Sequence, residues 1–184
     1  NIFINHYANL VGSTVDAFVI GSELIGLTSV QDTDDSFPAV DELVGLAASV
    51  KTAVGGSVTV TYAADWSEYH HTTGGWYNLD PLWASSNIDV VGIDAYFPLT
   101  DAPQSTLGYN EQTVVNGWES GEGYDWYYSD AERTVQTTLE DKFAWKNIDW
   151  WWKNSHVNPD MSTTAWVAES KPIWFTEFGF PSVD

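Results

Sequence analysis

The sequence contains no cysteine and few basic residues. Without cysteine, disulfides, thiolate nucleophiles and cysteine-based metal sites are excluded. The 26 Asp and Glu residues outnumber six Lys and Arg, and the formal net charge is −20. Because such a surface repels phosphate backbones and anionic lipid, nucleic acid and membrane surfaces are poor partners, and neutral or cationic ligands are favoured.

Long hydrophobic runs are absent as well. No apolar run approaches the ~18 residues that a bilayer crossing requires, so we expect no membrane insertion. The chain begins at Asn1 without an initiator methionine or a signal-like segment, and we expect it to be a segment of a longer protein. Aromatic residues are abundant instead. Eleven Trp and nine Tyr exceed the needs of a core of this size, so we expect some of them at a binding surface.

Four short segments predict buried parallel strands, because each is continuously apolar and not alternating. They are residues 17–23, 58–63, 88–96 and 172–178. Helical spacing predicts a helix over 38–54 between the first two strands, capped by Asp35 or Ser36 and ended by Gly55. We expect a shorter helix over 81–85, and residues 4–12 read as the end of a preceding helix. This alternation is typical of a parallel α/β fold.

The third and fourth strands are separated by residues 98–171, a segment far longer than an ordinary connection. We interpret it as an aromatic insertion, rich in Trp and Tyr at 118 and 126–128, with a helix over 134–155. Its adjacent Trp150, Trp151 and Trp152 would point about 100° apart on a helix, so they cannot share one face. We therefore favour packing of the insertion onto the domain over an exposed sugar platform.

Four strands cannot close an eight-stranded barrel, for which ~250 residues are typical. The simplest interpretation is a single domain over residues 1–184, built as a partial (β/α)₈ TIM barrel that carries the insertion. A smaller open α/β sheet is the alternative.

Two glutamates, Glu23 and Glu177, end strongly apolar strands, where the active sites of parallel α/β folds gather. Strand alternation places Glu177 on one face with Ile173 and Phe175, and Glu23 with Val19 and Gly21. If these faces point into the barrel, both carboxylates lie at its mouth. One can then protonate a leaving oxygen while the other attacks the anomeric carbon, as in glycoside hydrolysis.

Four further residues end the middle strands: Asp65 and Trp66 after the second, and Asp94 and Tyr96 at the third. Tyr96 could hydrogen-bond one glutamate, and Trp66 could stack on a sugar; a structural loop role is the alternative for each of the four. Glu68, His70 and His71 are interpreted as loop residues. The acidic run 32–35 lacks the glycine and distal glutamate of a calcium loop, so we expect it to cap the following helix. No metal site and no cofactor are predicted.

At these residues a family resemblance emerges. Ser22-Glu23 and the Phe-Thr-Glu-Phe-Gly segment around Glu177 resemble the strand-four and strand-seven glutamates of clan A retaining glycoside hydrolases. More specifically, the chain resembles the TIM-barrel-like domain of gene transfer agent and phage tail proteins, through residues 18–24, 79–83, 91–96 and 171–179.

The resemblance implies that Glu23 is the acid/base and Glu177 the nucleophile. It also implies that the visible strands are the fourth to seventh of eight, with the insertion after the sixth. A phage-like tail acting at the bacterial envelope is the implied location, with a cell-surface polysaccharide as ligand and other tail proteins as possible partners.

One position departs from the clan's pattern. Ser22 stands where an asparagine usually binds the substrate's 2-hydroxyl, a contact that strengthens in the transition state. The shorter side chain implies either a different group at that position of the substrate, such as the 2-acetamido group of peptidoglycan sugars, or weak activity.

From the two glutamates and the resemblance we expect a retaining hydrolase of envelope glycans. A carbohydrate-binding domain without turnover and a purely structural tail module are the alternatives.

Overall fold

A computed structural model describes residues 1–102 and 110–180, and four parallel strands form its main sheet. In chain order these are β1 (Ala17–Ser22), β2 (Thr59–Asp65), β3 (Val91–Ala95) and β6 (Ile173–Phe178), and they lie in the order β1-β2-β3-β6. All four predicted strands are confirmed, with ends that differ by three residues or fewer from the predicted ones. Two further strands of the described part of the chain, β4 (Trp126–Tyr128) and β5 (Gln136–Thr138), pair antiparallel inside the predicted insertion.

Within residues 1–102 and 110–180, six α-helices accompany the strands. They are α1 (Ile2–Val11), α2 (Ile25–Thr28), α3 (Pro38–Val54), α4 (Asp80–Ala84), α5 (Glu111–Asn116) and α6 (Ile148–Lys153), and single 3₁₀ turns span Gly12–Thr14, Gly117–Glu119 and Asp141–Phe143. The helices predicted near 4–12, over 38–54 and near 81–85 are confirmed as α1, α3 and α4. In the described ranges, no helix combines the length and apolarity that a bilayer crossing requires.

The predicted cap of α3 is wrong. The helix begins after Phe37 without any side-chain cap, because the Ser36 hydroxyl donates to Asp32 and Asp35 lies in the preceding turn with a φ of 59°. The Asp32 carboxylate accepts the amide N–H groups of Asp34 and Ser36, and also the Ser36 hydroxyl. At the other end the prediction is confirmed, since Gly55 follows α3 with a φ of 89° that glycine adopts without strain.

The core lies between α3 and the middle of the sheet. The buried face of α3 consists of Val40, Leu43, Leu46, Ala47, Val50 and Val54. Every residue of β3 is buried, and in β2 only the two end residues are partly exposed, which explains the continuous apolar runs of both strands. The edge strands β1 and β6 are more open, with Val19 and Phe175 each 44% exposed. The described residues therefore form a parallel α/β sheet of the kind found in TIM barrels, while membership of an eight-stranded barrel stays a prediction.

The insertion differs from its prediction, because the helix expected over 134–155 is wrong except for α6. The Asp130 carboxylate accepts the amide N–H groups of Thr134 and Val135 and so closes the turn between β4 and β5. Residues 136–138 then pair with β4 in place of a helix. A helix forms only where the Asn147 side chain accepts the Trp150 N–H and caps α6.

The three adjacent tryptophans attach the insertion to the domain, as favoured from the sequence. Trp151 is fully buried, and Trp150 and Trp152 are partly buried against the core. The indole N–H of Trp152 donates to the carbonyl of Lys171, just before β6. Because each indole faces a different direction, the short helix is held on several sides at once.

Candidate active site

The strand ends bring the predicted site residues to one edge of the sheet. Glu23 follows β1, Asp65 ends β2, Asp94 lies near the end of β3, and Glu177 lies near the end of β6. All four strands are parallel, so their carboxyl ends lie on the same side of the sheet.

Glu23 has a strained backbone, with a φ of 50° in the left-handed region. This conformation costs a non-glycine residue about 1–3 kcal/mol and persists only where the surroundings impose it. Two hydrogen bonds do so: the N–H of Glu23 donates to the Ala63 carbonyl at 2.9 Å, and the N–H of Leu24 donates to the Tyr62 hydroxyl at 2.7 Å. The pairing of β1 with β2 is irregular between Val19 and Ser22, so strict alternation is interrupted before Glu23.

A second irregularity lies beside Glu177. Ile93 and Asp94 of β3 are opposite Phe175 and Glu177 of β6, which leaves Thr176 as the extra residue of a bulge. The Thr176 hydroxyl donates to Asp94 Oδ1 at 2.6 Å. Alternation is thus interrupted in β6 as well, and the bulge directs Thr176 to a partner on β3.

Asp94 is fully buried and connects three strands. Its Oδ1 accepts from Thr176 of β6, and its Oδ2 accepts from the hydroxyl of Ser22 of β1 at 3.2 Å. The Ser22 hydroxyl is therefore engaged in a hydrogen bond within the protein, although the residue itself is exposed.

Tyr96 donates its hydroxyl to Glu177 Oε2 at 2.7 Å, which confirms the predicted contact. This bond and the nearby negative charges, Glu177 first, raise the pKa of Tyr96. The ring lies close against Gly179, where an added Cβ would meet Tyr96 Cε1 at 2.6 Å. The lack of a side chain at position 179 therefore allows Tyr96 to lie beside Glu177.

Glu23 has a different electrostatic environment. Desolvation is the main cause that raises its pKa, followed by the negative charges of Asp65, Asp94 and Glu177. The effect of Glu177 on the pKa of Glu23 is notable because β1 and β6 are the two outermost strands of the sheet, with β2 and β3 between them. The two carboxylates nevertheless lie near enough for the charge of one to disfavour ionisation of the other.

Asp65 and Trp66 lie on the same edge, largely engaged with the protein. Asp65 Oδ1 accepts the Ser67 N–H at 2.7 Å and the Ser67 hydroxyl at 2.5 Å. The half-buried Trp66 packs edge-to-face against Phe97, with ring centroids 6.2 Å apart. Trp66 as a residue is thus partly accessible to solvent.

The sequence interpretation missed the role of Glu68. It does lie in the loop after β2, but its side chain is only 2% exposed, and its carboxylate has three donors. Oε1 accepts the hydroxyls of Thr28 at 2.5 Å and Tyr62 at 2.9 Å, and Oε2 accepts the Asp65 N–H at 3.3 Å. Burial raises the pKa of Glu68 despite these bonds. No local sequence pattern predicts this role, because Thr28, one of the donors to Glu68, lies forty residues earlier in the chain.

His70 and His71 are loop residues, as interpreted, and they are packed inside. Their Nδ1 atoms are 2.8 Å apart, and burial lowers the pKa of His70 well below its ordinary value and that of His71 to about 4. Both rings are therefore neutral near pH 7. Across residues 1–102 and 110–180, no group of three or more His, Asp or Glu side chains is arranged to hold a metal ion.

Comparison with known proteins gives one result. A family model described as the GTA TIM-barrel-like domain, GTA denoting gene transfer agent, matches residues 1–184. No curated protein and no solved structure matches the chain. The family points to a gene transfer agent particle as the setting of the protein. With its parallel α/β sheet and a match over the whole sequence, the chain belongs to the family of gene transfer agent TIM-barrel-like domains.

Proposed function

We propose that this domain is a retaining glycoside hydrolase that acts on a bacterial cell-envelope polysaccharide. The supporting observation is the unequal environment of two carboxylates at one strand edge. Desolvation and neighbouring charge favour the protonated form of Glu23, whereas Glu177 accepts a hydrogen bond from Tyr96 at 2.7 Å. Environments that separate the behaviour of two carboxyl groups are the basis of acid and nucleophile roles in glycosidases.

In the first step Glu177 attacks the anomeric carbon while Glu23 gives its proton to the leaving glycosidic oxygen. The bond to the leaving group breaks as the ester to Glu177 forms. The Tyr96 hydroxyl holds the carboxylate of Glu177 in one orientation during the attack. This role requires a separation of about 5–5.5 Å between the two carboxyl groups.

In the second step Glu23, now ionised, removes a proton from water, which attacks the anomeric carbon and releases Glu177. Formation of the ester removes the negative charge of Glu177, one of the charges that raise the pKa of Glu23. The pKa of Glu23 therefore falls in the intermediate, and the residue changes from acid to base when the reaction requires it.

The substrate class follows from charge and from Ser22. A surface with a net charge of −20 suits a neutral or cationic glycan. Since the Ser22 hydroxyl donates its proton to Asp94, only its oxygen lone pairs remain to accept a hydrogen bond from a donor group at the 2-position of a sugar. We therefore favour a 2-acetamido sugar of the peptidoglycan type, with Asp65 and Trp66 as contacts to neighbouring sugar units. Within the particle, we place the domain at the tail, where it would meet the envelope and other tail proteins.

The test measures new reducing ends released from purified peptidoglycan and other envelope glycans. The full-length protein is compared with Glu23→Gln and Glu177→Gln, and with Glu132→Gln as an exposed control in the insertion. We expect release by the wild type and the control, and a loss of at least about 10³-fold in both site variants. Absence of release by the wild type with retained glycan binding would favour the carbohydrate-binding alternative. Absence of binding as well would favour a structural module.

A further inference from the structure

The peptide that follows Glu23 rests on a buried polar group of three side chains, Thr28, Tyr62 and Glu68, which we call the Glu68 cluster. Tyr62 accepts the Leu24 N–H at 2.7 Å and donates its hydroxyl to Glu68 at 2.9 Å. Thr28 donates to the same carboxylate oxygen at 2.5 Å and lies 3.3 Å from the Leu24 carbonyl oxygen. The cluster therefore contacts both polar groups of the residue next to Glu23.

Glu68 also reaches the neighbouring strand end. Its second oxygen accepts the N–H of Asp65, the last residue of β2. One carboxylate thus links the turn after β1 to the end of β2, on the edge that carries the site. Thr28 and Glu68 are both almost fully buried, so this linkage is shielded from water.

We propose that Glu68 is a positioning residue that fixes the left-handed backbone of Glu23 and thereby the place of its carboxylate. The catalytic part of this proposal rests on the proposed function, whereas the fixing of the backbone does not. Glu68 itself need not touch the substrate, since it acts through Tyr62 and Leu24.

The choice of a carboxylate supports this role. Burying it is costly, and an apolar residue of similar volume would serve stability alone at least as well. Glu68 accepts hydrogen bonds from three donors through two oxygens, whereas glutamine would place an N–H group opposite the Asp65 N–H or against the hydroxyls. Without the cluster, nothing holds the Leu24 N–H, and the strained conformation of Glu23 can relax.

The first test is amide hydrogen exchange on the full-length protein, resolved to single residues by mass spectrometry. Tyr62→Phe removes the acceptor of the Leu24 N–H. Glu68→Gln disturbs this hydrogen bond indirectly, through the contact of residue 68 with the Tyr62 hydroxyl. Tyr69→Phe is the matched control, because it removes another buried tyrosine hydroxyl, one that donates to the Trp145 carbonyl in the insertion.

We expect the exchange of the Leu24 amide, relative to the amides of β3 in the same variant, to accelerate about tenfold in both cluster variants and to stay unchanged in the control. An unchanged ratio in Tyr62→Phe and Glu68→Gln would overturn the proposal. If Glu68→Gln fails to fold, Thr28→Val removes one donor to Glu68 while keeping the side-chain shape, and it takes the place of that variant.

The second test separates positioning from the proposed function. If the wild type releases reducing ends, we expect Tyr62→Phe to lower kcat by about tenfold or more with little change in KM, and Tyr69→Phe to change neither. A normal kcat together with faster Leu24 exchange would overturn the catalytic part of the role. Faster exchange in a protein whose wild type has no turnover would leave the backbone role in place and count against the proposed function alone.

Discussion

Ser22 and Asp94 are joined by a hydrogen bond of 3.2 Å although their strands, β1 and β3, are not neighbours in the sheet. The contact crosses β2, and Thr176 of β6 completes it from the other side. The ends of three strands therefore converge on one buried carboxylate. Glu23 and Glu177 directly follow Ser22 and Thr176, so Asp94 sets the positions of the residues that carry the two site carboxylates.

The charge of Asp94 also acts on Glu23. Because it is one of the charges that raise the pKa of Glu23, we expect Asp94→Asn to lower that pKa toward its ordinary value. The measurement is a titration of the Glu23 carboxyl carbon by nuclear magnetic resonance. Asp16→Asn, at the opposite end of β1, is the control and should leave the titration unchanged. An identical titration in Asp94→Asn would show that the charge of Asp94 does not reach Glu23.

Tyr96 and Gly179 form a second coupled pair. Tyr96→Phe removes the hydrogen bond to Glu177, and Gly179→Ala places a methyl group where the ring now lies, 2.6 Å from Cε1. We expect each change to reduce the proposed glycan hydrolysis by about 10- to 100-fold.

Because both changes disrupt the same contact, the double variant should lose little more than Tyr96→Phe alone. Turnover rates of the wild type, both single variants and the double variant provide the measurement. Additive losses would mean that Gly179 acts on the site by some route other than Tyr96.

Much of this site could be predicted from sequence, because its signals are local. The strands β2 and β3 are buried on both faces and so read as continuous apolar runs, and a charged Glu177 stands out within an apolar strand. Tyr96 could be paired with a glutamate since both lie at ends of parallel strands.

The features that escaped prediction depend on partners distant in sequence or on side-chain bonds to the backbone. Burial of Glu68 requires Thr28, which reaches it only once α2 has formed after β1. In the insertion, Asp130 accepts backbone N–H groups that a helix would have used otherwise, and a hairpin results. The bulge at Thr176 likewise depends on Asp94 of another strand.

Glu68 should make stability depend on pH. Burial raises its pKa in the folded chain above the ordinary value of 4.5, so the unfolded chain loses this proton first as pH rises. The stabilising contribution is therefore complete below about pH 4.5 and is lost as pH rises through the folded pKa.

We expect the wild type to lose stability relative to Glu68→Gln over this rise, measured by urea unfolding at a series of pH values from 4 to 8. The absolute stabilities of the two proteins are not needed, since only their difference is followed. A constant difference over the series would mean that Glu68 titrates alike in the folded and unfolded chains.

Lys146 gives a pH dependence of opposite sign. It is 5% exposed and donates its ammonium to the carbonyls of Pro98 at 2.9 Å and Ser120 at 2.6 Å, which holds the insertion together. Desolvation lowers its pKa from 10.5 to about 8. Between these values the unfolded chain binds the proton and the folded chain has lost it, so the contribution of Lys146 to folding stability increases as pH rises.

Relative to Lys146→Met, the wild type should therefore gain up to about 3 kcal/mol between pH 8 and 10.5. Lys142→Met, at a half-exposed lysine of the same insertion, is the matched control and should show no such gain. The stability difference is measured by urea unfolding at each pH.

Lys146→Met also leaves the carbonyls of Pro98 and Ser120 without their donor. We therefore expect trypsin to cut within 98–171 faster in Lys146→Met than in Lys142→Met. Equal cutting rates would contradict the anchoring role of Lys146.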